Sequence, residues 1–369
     1  MKNKKNKTLF IVAAGSGGHI IPAIVLGQQW LLANPTGKII FIGSGGTLDA
    51  KILATHTCIS QTISLPIDKF SIKKIWLYPK ILFQVIRAFF KSFMHVFQHK
   101  PEKIICTGGL IALPVSIAAR CAGIPVELYE LNVEPGKAVR VLMPFASKIF
   151  ITFLQSKKLC TFLGINFSKK CELVDYPIRF TESDKKCDKH QVFDRINKKI
   201  QERHENTHVP FSDTRKTIFI LGGSQGSVFL NNLFKKFIEK NFAIANSIQV
   251  IHQAGSPSAY NPIDWPAFYA TSGIPAITFS YDDQIKNYYV ISDLIVCRAG
   301  AGTLFEIEFF QKPCLVIPLV AQTTDHQIAN ALAMSEKNPE LFHVLTQDQV
   351  TKNFDLFSDT VLRMLVRND

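Results

Sequence analysis

Glycine-rich turns that follow short apolar runs are the chemically suggestive features of this 369-residue chain. Gly15-Ser16-Gly17-Gly18-His19 follows Thr8–Ala13, and Gly222-Gly223-Ser224-Gln225-Gly226 follows Thr217–Leu221. A third, Cys297-Arg298-Ala299-Gly300-Ala301-Gly302-Thr303, closes the run that starts at Leu294. A strand that turns through glycine into a helix leaves backbone N–H groups at the positive end of the helix dipole, where an anion can approach closely. His19 stands at such a helix start, where the dipole favours a neutral imidazole. It can serve as a general base, as a hydrogen-bond donor or as a structural group. Glu306 lies three residues beyond Thr303, placed either to accept paired ribose hydroxyls or to complement the helix dipole. Gln327 and Asn330 are three apart and share a helix face that could grip sugar hydroxyls. Asp282-Asp283 follows a strand and precedes a helix, which reads as a cap rather than a metal pair; no metal site is expected.

These groups need a frame that presents strand ends. Thr8–Ala13, Lys38–Ile42, Lys103–Cys106, Pro125–Tyr129 and Lys148–Phe153 are too apolar for one-sided exposure and read as buried strands. Helical stretches such as Ala23–Leu32 and Pro114–Cys121 lie between them. A second series runs through Thr217–Leu221, Gln249–His252, Ala276–Phe279, Leu294–Cys297 and Cys314–Pro318. The alternation predicts an α/β protein with two Rossmann-like domains of parallel strands, residues 1–178 and 179–351. A C-terminal helix at about 352–369 is expected to pack back on the first. Thr181–Lys216, polar and rich in Lys and His, reads as an exposed loop opening the second domain. The first turn lacks the full dinucleotide spacing, and no acidic residue ends the strand near Phe41, so NAD is disfavoured and no cofactor is expected.

Lys and Arg exceed Asp and Glu by 13, which favours anionic partners without choosing among them. The basic residues form no recognisable nucleic-acid reading module, so nucleic acid is not expected as a partner. Eight scattered cysteines without a Cys-x-x-Cys pair read as reduced thiols. Met1–Lys7 reads as a solvated tail rather than a secretory signal.

Taken together, Gly222–Gly226, Cys297–Thr303 with Glu306, and Asp325-His-Gln-Ile-Ala-Asn330 resemble the MurG family of inverting N-acetylglucosaminyltransferases. The resemblance implies a GT-B fold, with parallel sheets facing across a cleft. It implies transfer of GlcNAc from UDP-GlcNAc to the 4-hydroxyl of a muramyl sugar on undecaprenyl diphosphate, giving lipid II for peptidoglycan. By that resemblance Glu306 holds the ribose and Tyr281 lies against the uracil. Ala301, Gly302, Thr303, Gln327 and Asn330 face the GlcNAc or diphosphate, and Ser224 and Arg179 line the mouth. Ser16, Gly17, Gly18 and Asn132 join the donor set, Gly15, Gly108 and Gly109 form acceptor or phosphate loops, and the base is His19, Glu130 or a water-mediated route. Two other readings remain: a UDP-GlcNAc 2-epimerase of the same fold, and a non-catalytic sugar-nucleotide binder.

From Lys69 to Lys100 there are seven Lys or Arg and no acidic residue. Leu82, Val85, Ile86, Phe89, Phe93 and Phe97 recur at helical spacing and read as a core face, with Gln84, Arg87, Lys91, His95 and Gln98 outside. Ile75, Trp76, Leu77 and Lys80 would add a peripheral surface for anionic lipid. The resemblance places the chain on the cytoplasmic face of the bacterial inner membrane, with a cell-wall or division complex as its protein partner.

Overall fold

The computed structural model describes residues 7–68, 75–202, 209–223, 226–256, 263–282, 284–320 and 326–366. The chain divides into two compact units between Arg179 and Phe180. The first unit holds β1 (Thr8–Val12), β2 (Lys38–Gly43), β3 (Ile59–Ser64), β4 (Lys103–Cys106), β5 (Val126–Glu130), β6 (Lys148–Ile151), a small hairpin of β7 (Thr161–Phe162) and β8 (Ile165–Asn166), and β9 (Cys171–Leu173). Seven of these make a parallel sheet in the order β3-β2-β1-β4-β5-β6-β9. Leu9 through Val12 are wholly buried, as expected for a strand covered on both faces.

The second unit repeats the plan with β10 (Lys216–Leu221), β11 (Ile248–Gln253), β12 (Ala276–Phe279), β13 (Leu294–Cys297), β14 (Cys314–Val316) and β15 (Phe342–Val344). Their order is β12-β11-β10-β13-β14-β15, again parallel throughout. In each sheet the chain leaves its first strand in one direction and returns on the other side, between β1 and β4 and between β10 and β13. Loops leaving the carboxyl ends of those strands diverge, and the crevice between them is where open α/β sheets bind ligands. The α/β class with two Rossmann-like domains is therefore what the chain adopts.

Several expectations need correction. Thr181–Lys216 is not loop throughout: Lys189–Glu202 is a helix that buries Val192, Phe193, Ile196 and Ile200 on one face. Four apolar residues at helical spacing were enough for a stripe despite the surrounding charge. The first helix runs from Gly17 to Ala33 and carries Pro22 inside it, so the loss of one N–H did not delay its start. The C-terminal helix, Phe354–Val366, lends Phe357, Val361, Met364 and Leu365 to the second core, with Phe357 edge-on to Phe237 at 6.0 Å. It belongs to the second unit, not the first.

The helix Tyr78–His99 starts with Pro at its first turn, as read, and Arg87, Lys91 and Gln98 are exposed as expected, but of the expected core face Leu82, Ile86 and Phe97 are exposed and Val85, Phe89 and Phe93 only half-buried. Its buried residues are Ile81, Ala88, Ser92 and Val96. Leu82, Phe83, Ile86, Phe90, Met94 and Phe97 are exposed, Phe97 by 67 %. Small side chains on the inner face allow close packing, and Ser92 satisfies its hydroxyl on the Ala88 carbonyl at 2.7 Å. Gln84 and Lys91 bind the chain before the helix, through Asp68 and the Ser64 carbonyl.

Candidate functional site

In the first unit the turns after β1 and β4 are interlocked. Gly15 takes φ +94°, and Ser16 then begins the helix, its carbonyl accepting from the N–H groups of His19 and Ile20. Gly17 and Gly18 form the helix's first turn, and Gly18 is exposed. After β4, the Thr107 hydroxyl donates to the His19 carbonyl at 2.8 Å. Gly108 follows at φ +131°, where a Cβ would stand 3.0 Å from His19 Cε1. Gly109, also at positive φ, lies against Ala14. The imidazole is thus seated on a glycine backbone, at the mouth of a helix that begins there.

Glu130 at the end of β5 is 2 % exposed. Its Oε1 accepts from the backbone N–H and the side-chain amide of Asn132 at 2.8 and 3.2 Å, and its Oε2 from the Gly136 N–H at 3.1 Å. Burial pushes the carboxyl up to about 7 against those donors. Such a carboxylate shapes the Leu131–Gly136 loop from within, and half-buried Asn132 donates to it from backbone and side chain. Arg179 is exposed at the end of the unit, and its charge, second to burial, holds His56 below its usual range.

In the second unit three turns meet around one side chain. Arg298, just past β13, donates from Nε to the Ser227 hydroxyl at 3.0 Å, and from Nη1 to the Ile317 carbonyl at 3.0 Å and to Gln347 Oε1 at 2.7 Å. Its guanidinium also lies 5.1 Å over the Phe229 ring. Burial lowers its pKa to about 10, still cationic at neutral pH. Ser227 caps the helix Val228–Lys240 that follows the β10 turn. In that turn Gly226 lies so close to β11 that a Cβ would come within 2.2 Å of the Ala254 carbonyl. Ser224 and Gln225 lie outside the described residues, as do Asp283 and Asp325.

Gly300 caps the helix Ala301–Phe310, with Ala301 buried and Gly302 and Thr303 half-buried on its first turn. Glu306, half-buried, accepts from the Tyr289 hydroxyl at 2.9 Å, and Tyr289 stacks on Phe310 at 5.1 Å. Gln327 Oε1 accepts from the Leu319 N–H at 3.0 Å. Asn330 is wholly buried and its amide donates to the Ala299 carbonyl at 3.3 Å. Asn330 thus ties its helix to the turn after β13, and Gln327 ties it to the loop after β14.

Tyr281 is 65 % exposed beyond β12. Asp282 does more than cap: besides the Gln284 N–H it accepts from Lys199 at 2.9 Å and the Tyr288 hydroxyl at 2.6 Å. Beside Tyr281, at the ends of β11 and β12, lies a cavity of about 530 Å³ whose walls include Ser256, Trp265, Thr278, Phe279 and Ser280. It is half open to solvent, and the chain between its wall residues Ser256 and Ile263 lies outside the described residues.

Residues 9–151 match the glycosyltransferase family 28 N-terminal domain, and residues 217–357 match the family 28 C-terminal domain. The chain belongs to glycosyltransferase family 28. It is accordingly a transferase of glycosyl groups. A curated relative from Myxococcus xanthus, named UDP-N-acetylglucosamine–N-acetylmuramyl-(pentapeptide) pyrophosphoryl-undecaprenol N-acetylglucosamine transferase, is 26 % identical over 90 % of this chain and 79 % of its own length. The crystal structure of Acinetobacter baumannii MurG, 20 % identical, superposes with a TM-score of 0.66 over 98 % of this chain and 93 % of that one. A UDP-GlcNAc 2-epimerase from Neisseria meningitidis, 13 % identical, gives 0.55 over 90 % and 92 %. At such identities both structures speak for the fold alone, which is of the GT-B type.

Sequence reading missed the organising role of Arg298 and the part of Tyr289 in this family 28 site. An arginine inside a glycine turn was the available signal for the first; nothing in the spacing marks the second. Replacing Arg298 with Lys leaves several buried acceptors without donors. We expect a loss of about 2–4 kcal/mol in the second unit's denaturant unfolding and weaker nucleotide binding by calorimetry. Glu130, raised from about 4.5 to about 7 on folding, contributes stability that is full below pH 4.5 and lost as pH rises through 7. Unfolding temperatures of the Glu130→Gln variant, measured from pH 4 to 8, should lack that component of the wild-type decline.

Proposed function

We infer that this glycosyltransferase moves GlcNAc from UDP-GlcNAc to the 4-hydroxyl of an undecaprenyl-diphosphate-linked N-acetylmuramyl peptide, with inversion at the anomeric carbon. The observation that carries the reading is the triple turn locked by Arg298 in the second unit, with Glu306 oriented by Tyr289 on the helix behind it. The printed activity of the Myxococcus relative supplies the substrates.

In this reading the uracil enters the cavity beside Tyr281, the ribose hydroxyls meet Glu306, and the diphosphate meets the N–H groups of the β10 and β13 turns. Those donors and the Arg298 charge stabilise the departing UDP as the glycosidic bond breaks. The acceptor hydroxyl attacks the anomeric carbon from the opposite face, which turns an α-linked donor into a β-linked product. Its proton goes to the His19 imidazole, the base best supported here, since both Glu130 oxygens already accept from the backbone of their own loop. Gly15, Gly108 and Gly109 serve the acceptor or phosphate, and Ser16–Gly18 and Arg179 the donor.

The acceptor's lipid calls for a membrane surface. No helix among the described residues is long and apolar enough to cross a bilayer. The exposed stripe of the helix Tyr78–His99, continued by Trp76 at 72 % exposure, suits shallow insertion, with Arg87 and Lys91 at headgroup level. Leu77 is half-buried and Lys80 pairs with Asp68 at 2.7 Å, which reduces their part. The Ile75 side chain, Lys73 and Lys74 lie outside the described residues. A peripheral position on the cytoplasmic membrane, and a cell-wall or division complex as partner, belong to the same proposal.

Labelled UDP-GlcNAc and a short-chain lipid I analogue should yield a disaccharide product with matching UDP release. Glu306→Ala should raise KM for the donor by about tenfold or more, and His19→Ala should lower kcat with little change in donor affinity. A free epimerised sugar nucleotide, or donor binding without transfer, would overturn the reading. Phe90→Asp with Phe97→Asp should weaken flotation with anionic vesicles by at least about tenfold, because each ring removes its own apolar burial.

A further inference from the structure

The β7–β8 hairpin of the first unit is an unusual surface element. Leu163 and Gly164 form its two-residue turn, with φ of +47° and +77°. Two positive-φ residues between antiparallel strands are the pattern of a type I′ turn, for which Asn-Gly is the preferred pair. Leucine gains nothing from that backbone, since its Cβ crowds the carbonyl and its side chain makes no local hydrogen bond. Here Leu163 is also 83 % exposed. A strained and exposed leucine points to a use outside the fold.

Its neighbours share the character. Ile165, Leu159 and Leu154 are exposed, and so are Lys157, Lys158 and Lys169. From Leu154 to Cys171 the sequence contains four lysines and no acidic residue. The hairpin is firmly seated all the same. Phe162 and Phe167 pack on the first core, Phe167 N–H donates to the Cys160 carbonyl at 2.9 Å, and Arg140 donates to the carbonyls of Leu159 and Thr161 at 3.2 and 3.4 Å.

We propose that this hairpin is a second membrane contact, in which Leu163 and Ile165 enter the acyl boundary of an anionic bilayer while Lys157, Lys158 and Lys169 meet its headgroups. An apolar tip above a cationic collar fits that partner: hydrocarbon takes the tip, and anionic headgroups supply the opposite charge. The proposal extends the peripheral-membrane reading but rests on different residues from the helix Tyr78–His99.

The test places a reporter at the tip. In the full chain carrying Trp76→Phe and Leu163→Trp, the remaining native tryptophans, Trp30 and Trp265, are buried. Brominated phospholipid should quench the tip emission on vesicles containing phosphatidylglycerol and much less on phosphatidylcholine alone. A second variant, Leu163→Asn, suits the turn better, so it should keep or raise the unfolding temperature while weakening vesicle binding by about tenfold. Quenching together with that split supports the proposal. A vesicle-bound chain with unquenched tip emission, or undiminished binding by Leu163→Asn, overturns the hairpin contact and leaves the helix contact standing. No vesicle binding at all overturns both.

Discussion

Much of the second unit's site depends on one guanidinium. Arg298 reaches the capping serine of the β10 helix, the carbonyl after β14 and the amide of Gln347, so three separately folded segments share a single side chain. Each of these acceptors is uncharged. The cation is therefore held by hydrogen bonds without being neutralised by them, in a place where burial makes an uncompensated charge unfavourable. In the proposed reading an arriving phosphate supplies that compensation, so that turn geometry and anion binding would rest on the same arrangement.

The two units apply one plan to different ends. At the β1–β4 switch the turns are joined by a hydroxyl, Thr107, and by van der Waals contact between His19 and Gly108. At the β10–β13 switch they are joined by a cation. An imidazole set on glycine suits proton transfer, whereas a fixed positive charge among N–H groups suits a diphosphate. The division of labour lies in the side chains that bind the turns, since the sheets behind them share one winding.

Most of the frame was legible because doubly covered parallel strands are apolar along their whole length; Lys103–Cys106 and Leu294–Cys297 needed no context. Of the four edge strands of the two parallel sheets only β12 was. Of β3, the stretch Ser60–Thr62 is exposed, and three-residue β9 and β15 are too short for periodicity to register. The helix Tyr78–His99 misled because its apolar arc is wider than the face it buries, so pattern alone could not say which part of the arc faced inward; Ala88 and Ser92 decided it by size. Among site residues, glycine turns announce themselves, since only backbone requirements place glycine at Gly226 or Gly108. Partnerships are silent in sequence. That Glu130 faces its own loop, that Asn330 lies behind Ala299 and that Tyr289 orients Glu306 are all consequences of tertiary placement.

The winding of the first sheet has a consequence for how this protein is made. β1 emerges from the ribosome well before β4, one of its two neighbours, which begins only at Lys103. Until then β1 can pair with β2 alone, and its other edge, Leu9 to Val12, is an unsatisfied apolar template. The His19 turn therefore cannot acquire its Gly108 seat until the chain beyond β4 has been translated. Chaperone demand should peak in that interval, and a slowed ribosome before Lys103 would prolong the exposure of a strand that the finished enzyme buries completely.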